Sequence, residues 1–551
     1  MPNLFFARPL QWQSKPLPVH LVTLGITFFL LIVFNKAMWT ELFRLAVTTD
    51  PTTWFFPISF FFSLLLAMNG VLTLLGWPYI LKPILIAVLL ICASASYFMN
   101  TFGVMIDQDM IRNALETDFR EANELISFDF LFSFSLGGIL PSWLILRHSI
   151  QFPPNFKQTL TKKGGIILLS GILIAALVSL EYKQYSIFFR NNRHVRHLIA
   201  PVNVIYGTSS LIKQTYFNTP KQLITIGQDA KPGTRLQKTG KKRLVVLVVG
   251  ETARASNFSL QGYARLTNPR LSQANGFYFS NVTSCGTSTA ASLPCMFSAD
   301  SRENYSEKLA RHTEGLLDLL THAGVQVRWL DNNSGCKDTC NRVTYEDLSK
   351  ANDAELCNED GCFDAILQKR LEEILTTAQG PILIVLHQKG SHGPAYFKRY
   401  PANFKRFTPT CDQEQIDQCS QPSIVNTYDN TLLYTDHVLG NLIDLLQEYN
   451  DRFNSAMLYI SDHGESLGEN GVYLHGLPYL IAPESQTHVP MYAWFSPSFT
   501  TAMGLNGPCI AQEKESPFSH DHLFHTVLGL LDIQTNLYQT KLDMFAGCQN
   551  R

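Results

Sequence analysis

RLVVLVVG, residues 243–250, is apolar at nearly every position and leads straight into Glu251. Three later runs share its character: VQVRWL (325–330), PILIVLH (381–387) and AMLYIS (456–461). A strand with one wet face alternates apolar and polar residues. An unbroken apolar run of this length suits a strand covered on both faces, as in a parallel sheet. Helical patterns lie between the runs, among them EGLLDLLTHAG (314–324) and NTLLYTDHVLGNLIDLLQEY (430–449). Strands alternating with helices predict an α/β sandwich.

Ligand sites in such sheets lie beyond the carboxyl ends of the strands. Here those ends carry Glu251, then Asp331, Asn332 and Asn333, then His387, Lys389, Ser391 and His392, and finally Asp462 and His463. Singly, each has a plain explanation: a Glu after a strand is commonly a helix-terminal charge, and an Asp-His pair a cap or turn. Together they would bring carboxylates and imidazoles to one edge, a ligand set suited to zinc. His475, in NGVYLHGLPY, reads as readily as a surface loop residue. The segment SNVTSCGTSTAASLPCMFS, 280–298, packs Thr287, Ser288 and Thr289 between two cysteines. Taken alone it reads as a Ser/Thr-rich turn. Beside a metal, one of its hydroxyls becomes a nucleophile able to attack phosphorus.

Outward from this domain the composition changes. The chain has 551 residues and a net charge of −1, so no global field points to nucleic acid. Five segments, roughly 18–38, 54–77, 83–106, 128–147 and 164–182, are apolar over about the 20 residues a bilayer requires. Arg8 and Lys15 precede the first, and Arg147, Lys157, Lys162 and Lys163 lie between the fourth and fifth. Placing both clusters in the cytoplasm gives an N-in topology and puts everything after about 183 outside. The second outward loop, 107–127, carries Asn113, Glu116, Thr117 and Glu121, which by themselves suit a solvated interfacial helix. Residues 183–240, with Arg190, Arg193 and Arg196 among aromatics, read as an interfacial bridging helix and linker between a five-helix domain (1–182) and a catalytic domain (241–551).

Ten of the 11 cysteines fall in the outer domain, and only Cys92 lies in the apolar half. Four close pairs, Cys285/Cys295, Cys336/Cys340, Cys357/Cys362 and Cys411/Cys419, point to disulfides in an oxidising compartment, and elimination leaves Cys509/Cys548. The C-x3-C and C-x4-C spacings could instead bind metal, but they lack the companions of a closed four-ligand site.

At this point the motifs GETARASNFSLQGYARLTNP (250–269), SNVTSCGTSTAASLPCMF (280–297), LDNNSGCKD (330–338), HQKGSHGPAYFKRYP (387–401) and ISDHGESLGENGVYLHGLP (460–478) resemble the phosphoethanolamine–lipid A transferases, which include polymyxin-resistance enzymes. The resemblance implies an alkaline-phosphatase/sulfatase-like α/β/α fold on five membrane helices in a bacterial inner membrane, with the catalytic domain periplasmic. It implies zinc held by Glu251, Thr289, Asp462 and His463, with Thr289 the nucleophile and a second zinc possible at His392 and His475. Lys337, Ser334, His392 and His475 would hold the phosphate and the entering or leaving oxygen, and Asn113, Thr117 and Glu121 the headgroup. The donor would be phosphatidylethanolamine and the acceptor a lipid A phosphate, with the chain acting as a monomer. The alternatives are another lipopolysaccharide acceptor (core heptose or Kdo), a phosphoglycerol transferase or sulfatase of the same superfamily, and a membrane-tethered scaffold with a degenerate site. CGTST lacks the C-x-P-x-R arrangement a sulfatase needs, and the complete set Glu251, Thr289, Asp462 and His463 speaks against a scaffold.

Overall fold

The computed structural model describes residues 15–49, 55–117, 119–213, 215, 222–235 and 240–549. Arg8, part of the N-terminal cationic cluster, lies outside them, as do residues 236–239 of the linker and the side chain of Glu121. Contacts divide the chain into two units: up to Ile106 with Phe128–Tyr206, and Asp107–Ser127 with Gly207–Arg551.

In chain order the helices begin with α1 (Val19–Val33), α2 (Lys36–Thr49), α3 (Phe55–Leu75) and α4 (Leu81–Phe102). Two short helices follow, α5 (Gln108–Glu116) and α6 (Phe119–Glu124), both within the second unit. Then come α7 (Phe128–Arg147), α8 (Phe156–Leu180), α9 (Tyr182–Asn191) and α10 (Val202–Ile212). Among the described residues four helices are long and apolar enough to cross a membrane, and α1 with Lys36–Leu45 makes a fifth candidate bent by 65°.

The bend has a local cause. Buried Asn35 donates from its amide to the carbonyls of Leu30 (2.9 Å) and Ala200 (3.1 Å), and Trp39 Nε1 donates to Leu31 (2.7 Å). Carbonyls that the helix break releases are thus recovered inside the apolar unit. The last span starts eight residues earlier than its apolar core, because the Asn155 side chain caps α8 by accepting from Gln158 N. Lys163, inside that extension, donates to the Leu74 carbonyl (3.1 Å) and lies 3.8 Å above the Trp77 ring. In α7 a π-turn at Ser135–Ile139 brings Gly137 and Gly138 against α4, where an added Cβ would come within 3.2 Å of Ala93 Cβ.

The second unit is built on a seven-stranded sheet. Its strands are β1 (Lys242–Gly250), β2 (Phe277–Phe279), β3 (Gln326–Asp331), β4 (Thr344–Asp347), β5 (Ile382–His387), β6 (Phe453–Ser461) and β7 (Met491–Phe495), in the order β2-β7-β6-β1-β5-β3-β4. Five neighbouring strands, β6-β1-β5-β3-β4, pair in parallel; β7 alone is reversed, pairing antiparallel with β6 on one side and with the edge strand β2 on the other. Every residue of β5 and β6 is buried, as is every residue of β1 after Lys242, which is what their unbroken apolar runs require. The register pairs His387 with Val249 and Asp331, and Ser461 with Gly250. The residues that follow these strand ends therefore emerge side by side. Five disulfides, Cys285–Cys295, Cys336–Cys340, Cys357–Cys362, Cys411–Cys419 and Cys509–Cys548, brace this unit, while Cys92 is free and buried.

Candidate active site

Glu251 leaves β1, Asp462 and His463 leave β6, and the three are wholly buried. One ligand atom from each lies within 4.8 Å of the others. Thr289 opens helix α11 (Thr289–Met296) after an extended Ser288. Its hydroxyl lies 3.2 and 3.1 Å from the two oxygens of Glu251 and 3.5 Å from His463 Nε2. His463 Nδ1 is taken by the Gly464 carbonyl at 2.9 Å, so Nε2 is the nitrogen that faces the cluster.

Asp462 Oδ1 accepts from the backbone N–H of Thr252 (3.2 Å) and of His463 (2.8 Å). Its Oδ2 is buried with no hydrogen-bond partner among the described residues, 3.4 Å from His463 Nε2. An orphaned carboxylate oxygen beside a second carboxylate and an imidazole is costly unless a cation completes it. The donor set fits a divalent metal. Burial and then the charge of Glu251 push the Asp462 carboxyl up to about 7. Burial would raise Glu251 too, but hydrogen bonding and charge from His463 hold it well below the usual carboxylate range.

Behind the cluster stands support the strand pattern does not announce. Asn333 Nδ2 donates to Glu251 Oε2 at 2.6 Å. His387 pairs through Nδ1 with Asp331 (2.9 Å), Trp329 Nε1 donates to the same carboxylate oxygen (2.8 Å), and His387 Nε2 lies 3.3 Å from Asn333 Nδ2. His387 thus belongs to the support. His475 Nδ1 meets Glu465 Oε2 at 2.8 Å, and Tyr396 OH donates to the other oxygen of that buried carboxylate. The ring of His475 lies 4.3 Å from that of His463 and 5.8 Å from that of His392.

Thr289, Ser334, Lys337, His392 and His475 line one cleft together with Asn113, Glu116 and Thr117 of the α5 segment. Lys337 Nζ donates to the Ser334 carbonyl (3.1 Å) and lies 3.9 Å from Glu116. Its backbone sits at φ 49°, in the left-handed region that non-glycine residues avoid, inside the loop closed by Cys336–Cys340. Thr117 ends α5, its hydroxyl donating to the Asn113 carbonyl at 2.6 Å. Glu465 is the functional neighbour that sequence reasoning missed, and Asn333, placed at a strand end by the sequence, had no contact assigned to it. Glu465 lay two residues past the Asp-His pair, and its role shows only once the loop returns His475 to it.

A wholly buried carboxylate–imidazole cluster beyond a parallel sheet, with a hydroxyl at the start of a helix beside it, is the layout of a sulfatase-type domain, and residues 243–533 match the Sulfatase family model. Residues 64–216 match the model described as phosphoethanolamine transferase EptA/EptB. The chain is 42% identical to phosphoethanolamine transferase EptA of Escherichia coli K12 over 88% of each protein, and 36% identical to phosphatidylethanolamine transferase Mcr-1 of Escherichia coli over 95% of this chain and 96% of that one. The integral membrane lipooligosaccharide phosphoethanolamine transferase A of Neisseria meningitidis superposes with a TM-score of 0.94 at 35% identity, covering 98% of this chain and 100% of that one. This chain belongs to the EptA and Mcr-1 family of phosphoethanolamine transferases, within the alkaline phosphatase/sulfatase superfamily.

Proposed function

We propose that the chain moves phosphoethanolamine from phosphatidylethanolamine to a lipid A phosphate through a covalent intermediate on Thr289. The observation that carries this reading is the Thr289 hydroxyl set against Glu251 and His463 beside the orphaned Asp462 Oδ2. Zinc held by Glu251, Asp462, His463 and the Thr289 oxygen would lower the hydroxyl pKa and offset charge on the phosphoryl oxygens. A second zinc at His392 and His475 is compatible with the reading and not required by it.

In the first displacement the Thr289 Oγ1 proton passes to His392 or His475, Oγ1 forms a bond to phosphorus, and the bond from phosphorus to the diacylglycerol oxygen breaks. His392 or His475 protonates that oxygen as it leaves. In the second, a lipid A phosphate oxygen attacks the same phosphorus, the threonine–phosphorus bond breaks, and Oγ1 regains a proton. Lys337 and Ser334 hold the non-bridging oxygens, and Asn113, Thr117 and Glu121 hold the headgroup. The added ammonium lowers the net negative charge of lipid A, so cationic polymyxins bind it less well.

The same reading makes the apolar unit a five-span anchor with its N-terminus in the cytoplasm, residues 183–240 an interfacial bridge, and the catalytic unit a periplasmic α/β/α sandwich acting as a monomer in the bacterial inner membrane. Mass spectrometry of lipid A from cells with and without the gene tests it. A mass increment on lipid A supports it. An increment confined to Kdo or core heptose shifts the acceptor, and no increment at all refutes it.

A further inference from the structure

Beside the nucleophile cleft lies a second cavity of about 480 Å³, within the size range of small-ligand sites. The two hollows share a wall. Ser334 lines both, and the preceding Asn333 donates to Glu251 on the far side. They also share a brace: Arg399, in the cavity wall, donates from Nε to the carbonyl of His392 at 2.8 Å.

The ionic groups around this cavity do not all pair with one another. Arg399 is taken by Glu124 at 2.6 Å, and Lys398 by Asp360 (3.0 Å) and Glu414 (2.7 Å). Asp364 is saturated by Asn332 Nδ2 and by the backbone N–H of Lys389 and Gly390, all within 2.9 Å. Two ammonium groups are left, Lys350 and Lys389, which have no ionic partner among the described residues. With them stand Asp347, whose Oδ1 accepts from the Ser349 N–H (3.0 Å) and hydroxyl (2.6 Å) and whose Oδ2 is left to accept a ligand hydroxyl, and the half-exposed ring of Tyr345. Free ammoniums, a carboxylate acceptor and an aromatic face suit an acidic sugar better than a fatty chain or a bare phosphate.

We propose that this cavity is the acceptor subsite. It takes a phosphorylated amino sugar, with an anionic group of the sugar on Lys350 and Lys389, while the phosphate under modification reaches past Ser334 to Thr289. The proposal rests on the transferase reading above and adds where the acceptor sits and what recognises it. Neither cleft residue nor metal ligand is needed to hold the sugar, so the subsite can be weakened without touching the chemistry.

The test uses the full chain reconstituted with a fluorescent phosphatidylethanolamine and purified lipid A bearing both phosphates. Lys350→Glu, at an exposed position, and the pair Lys350→Glu/Lys389→Gln are compared with wild type. Loss of a charge-assisted contact predicts a KM for lipid A raised about tenfold per lysine, with kcat at saturating lipid A kept. Lys350→Arg restores the KM. An unchanged KM in the paired variant overturns the proposal. So does loss of the single-turnover release of labelled diacylglycerol measured without lipid A, because the lysines would then serve the first chemical step rather than the acceptor. If wild type itself releases no diacylglycerol, the transferase reading has failed rather than the subsite.

Discussion

Thr289 sits beside Glu251 and His463 because the chain changes conformation there. Ser288 is extended, α11 begins one residue later, and the Cys285–Cys295 link holds the two ends of the segment together. Thr289→Ala removes the hydroxyl proposed to attack phosphorus, so transfer to lipid A falls below detection by mass spectrometry while the chain still inserts and folds. Asp462→Ala removes the carboxylate whose Oδ2 lacks a partner, and zinc measured on the purified variant drops to background. Asn333→Ala leaves the ligands in place but frees Glu251 Oε2, so zinc affinity measured by chelator competition falls by about 10–100-fold. The residues legible in the sequence are those whose position relative to a strand end already says where they go, Glu251, Asp462 and His463. Asn333, Asp331 and His387 were also placed at strand ends, but their pairings, like that of Glu465, were opaque because they arise from partners 82, 56 and 10 residues away.

At the scale of elements, the buried strands were readable because burial on both faces leaves no polar positions. Hydropathy located the spans but not their ends. It responds to apolar content, whereas α8 starts at its Asn155 cap and α1 breaks at Asn35. The long helix α14, Gln421–Glu448 (numbered after α12, Leu316–His322, and α13, Ala365–Thr377), hides another polar group that pattern reading passes over. Its Asp436 accepts from the backbone N–H of Arg270 (2.8 Å) and Leu271 (2.9 Å). Burial outweighs those donors and pushes its carboxyl up to about 7 from an ordinary 3.8. Between those values the folded chain keeps a proton that the unfolded chain has lost, so stability falls as pH rises through this window. Asp436→Asn flattens that slope in thermal melts recorded from pH 4 to 8. It also lowers stability overall by about 1–3 kcal/mol, because the new NH2 faces one of the two donors.

At the scale of the molecule, the second unit recruits Asp107–Ser127 from the midst of the apolar half. Arg112 pairs with Glu307 at 2.5 Å, Glu116 with Arg311 at 3.4 Å, and Glu124 with Arg399 at 2.6 Å, the last pair exposed by only 7% and 4%. Removing one member of a buried pair strands its partner, and such losses run to about 3–5 kcal/mol. Arg399→Met should therefore lower the melting temperature of the full chain in detergent, and adding Glu124→Gln should recover the part of the loss that comes from stranding Glu124, leaving the part due to the lost bond to the His392 carbonyl. The loop's polarity was visible in the sequence, but its allegiance was not, because these partners lie some 195 to 275 residues downstream.

That shared segment limits how the gene can be shuffled. A chimera that takes its first 206 residues from a relative imports foreign counterparts for Glu307, Arg311 and Arg399 along with the membrane anchor. Parents that differ at those positions should yield hybrids that reach the membrane yet close the cleft poorly. Crossovers that carry residues 107–127 with the catalytic part should be the ones that inherit cleanly.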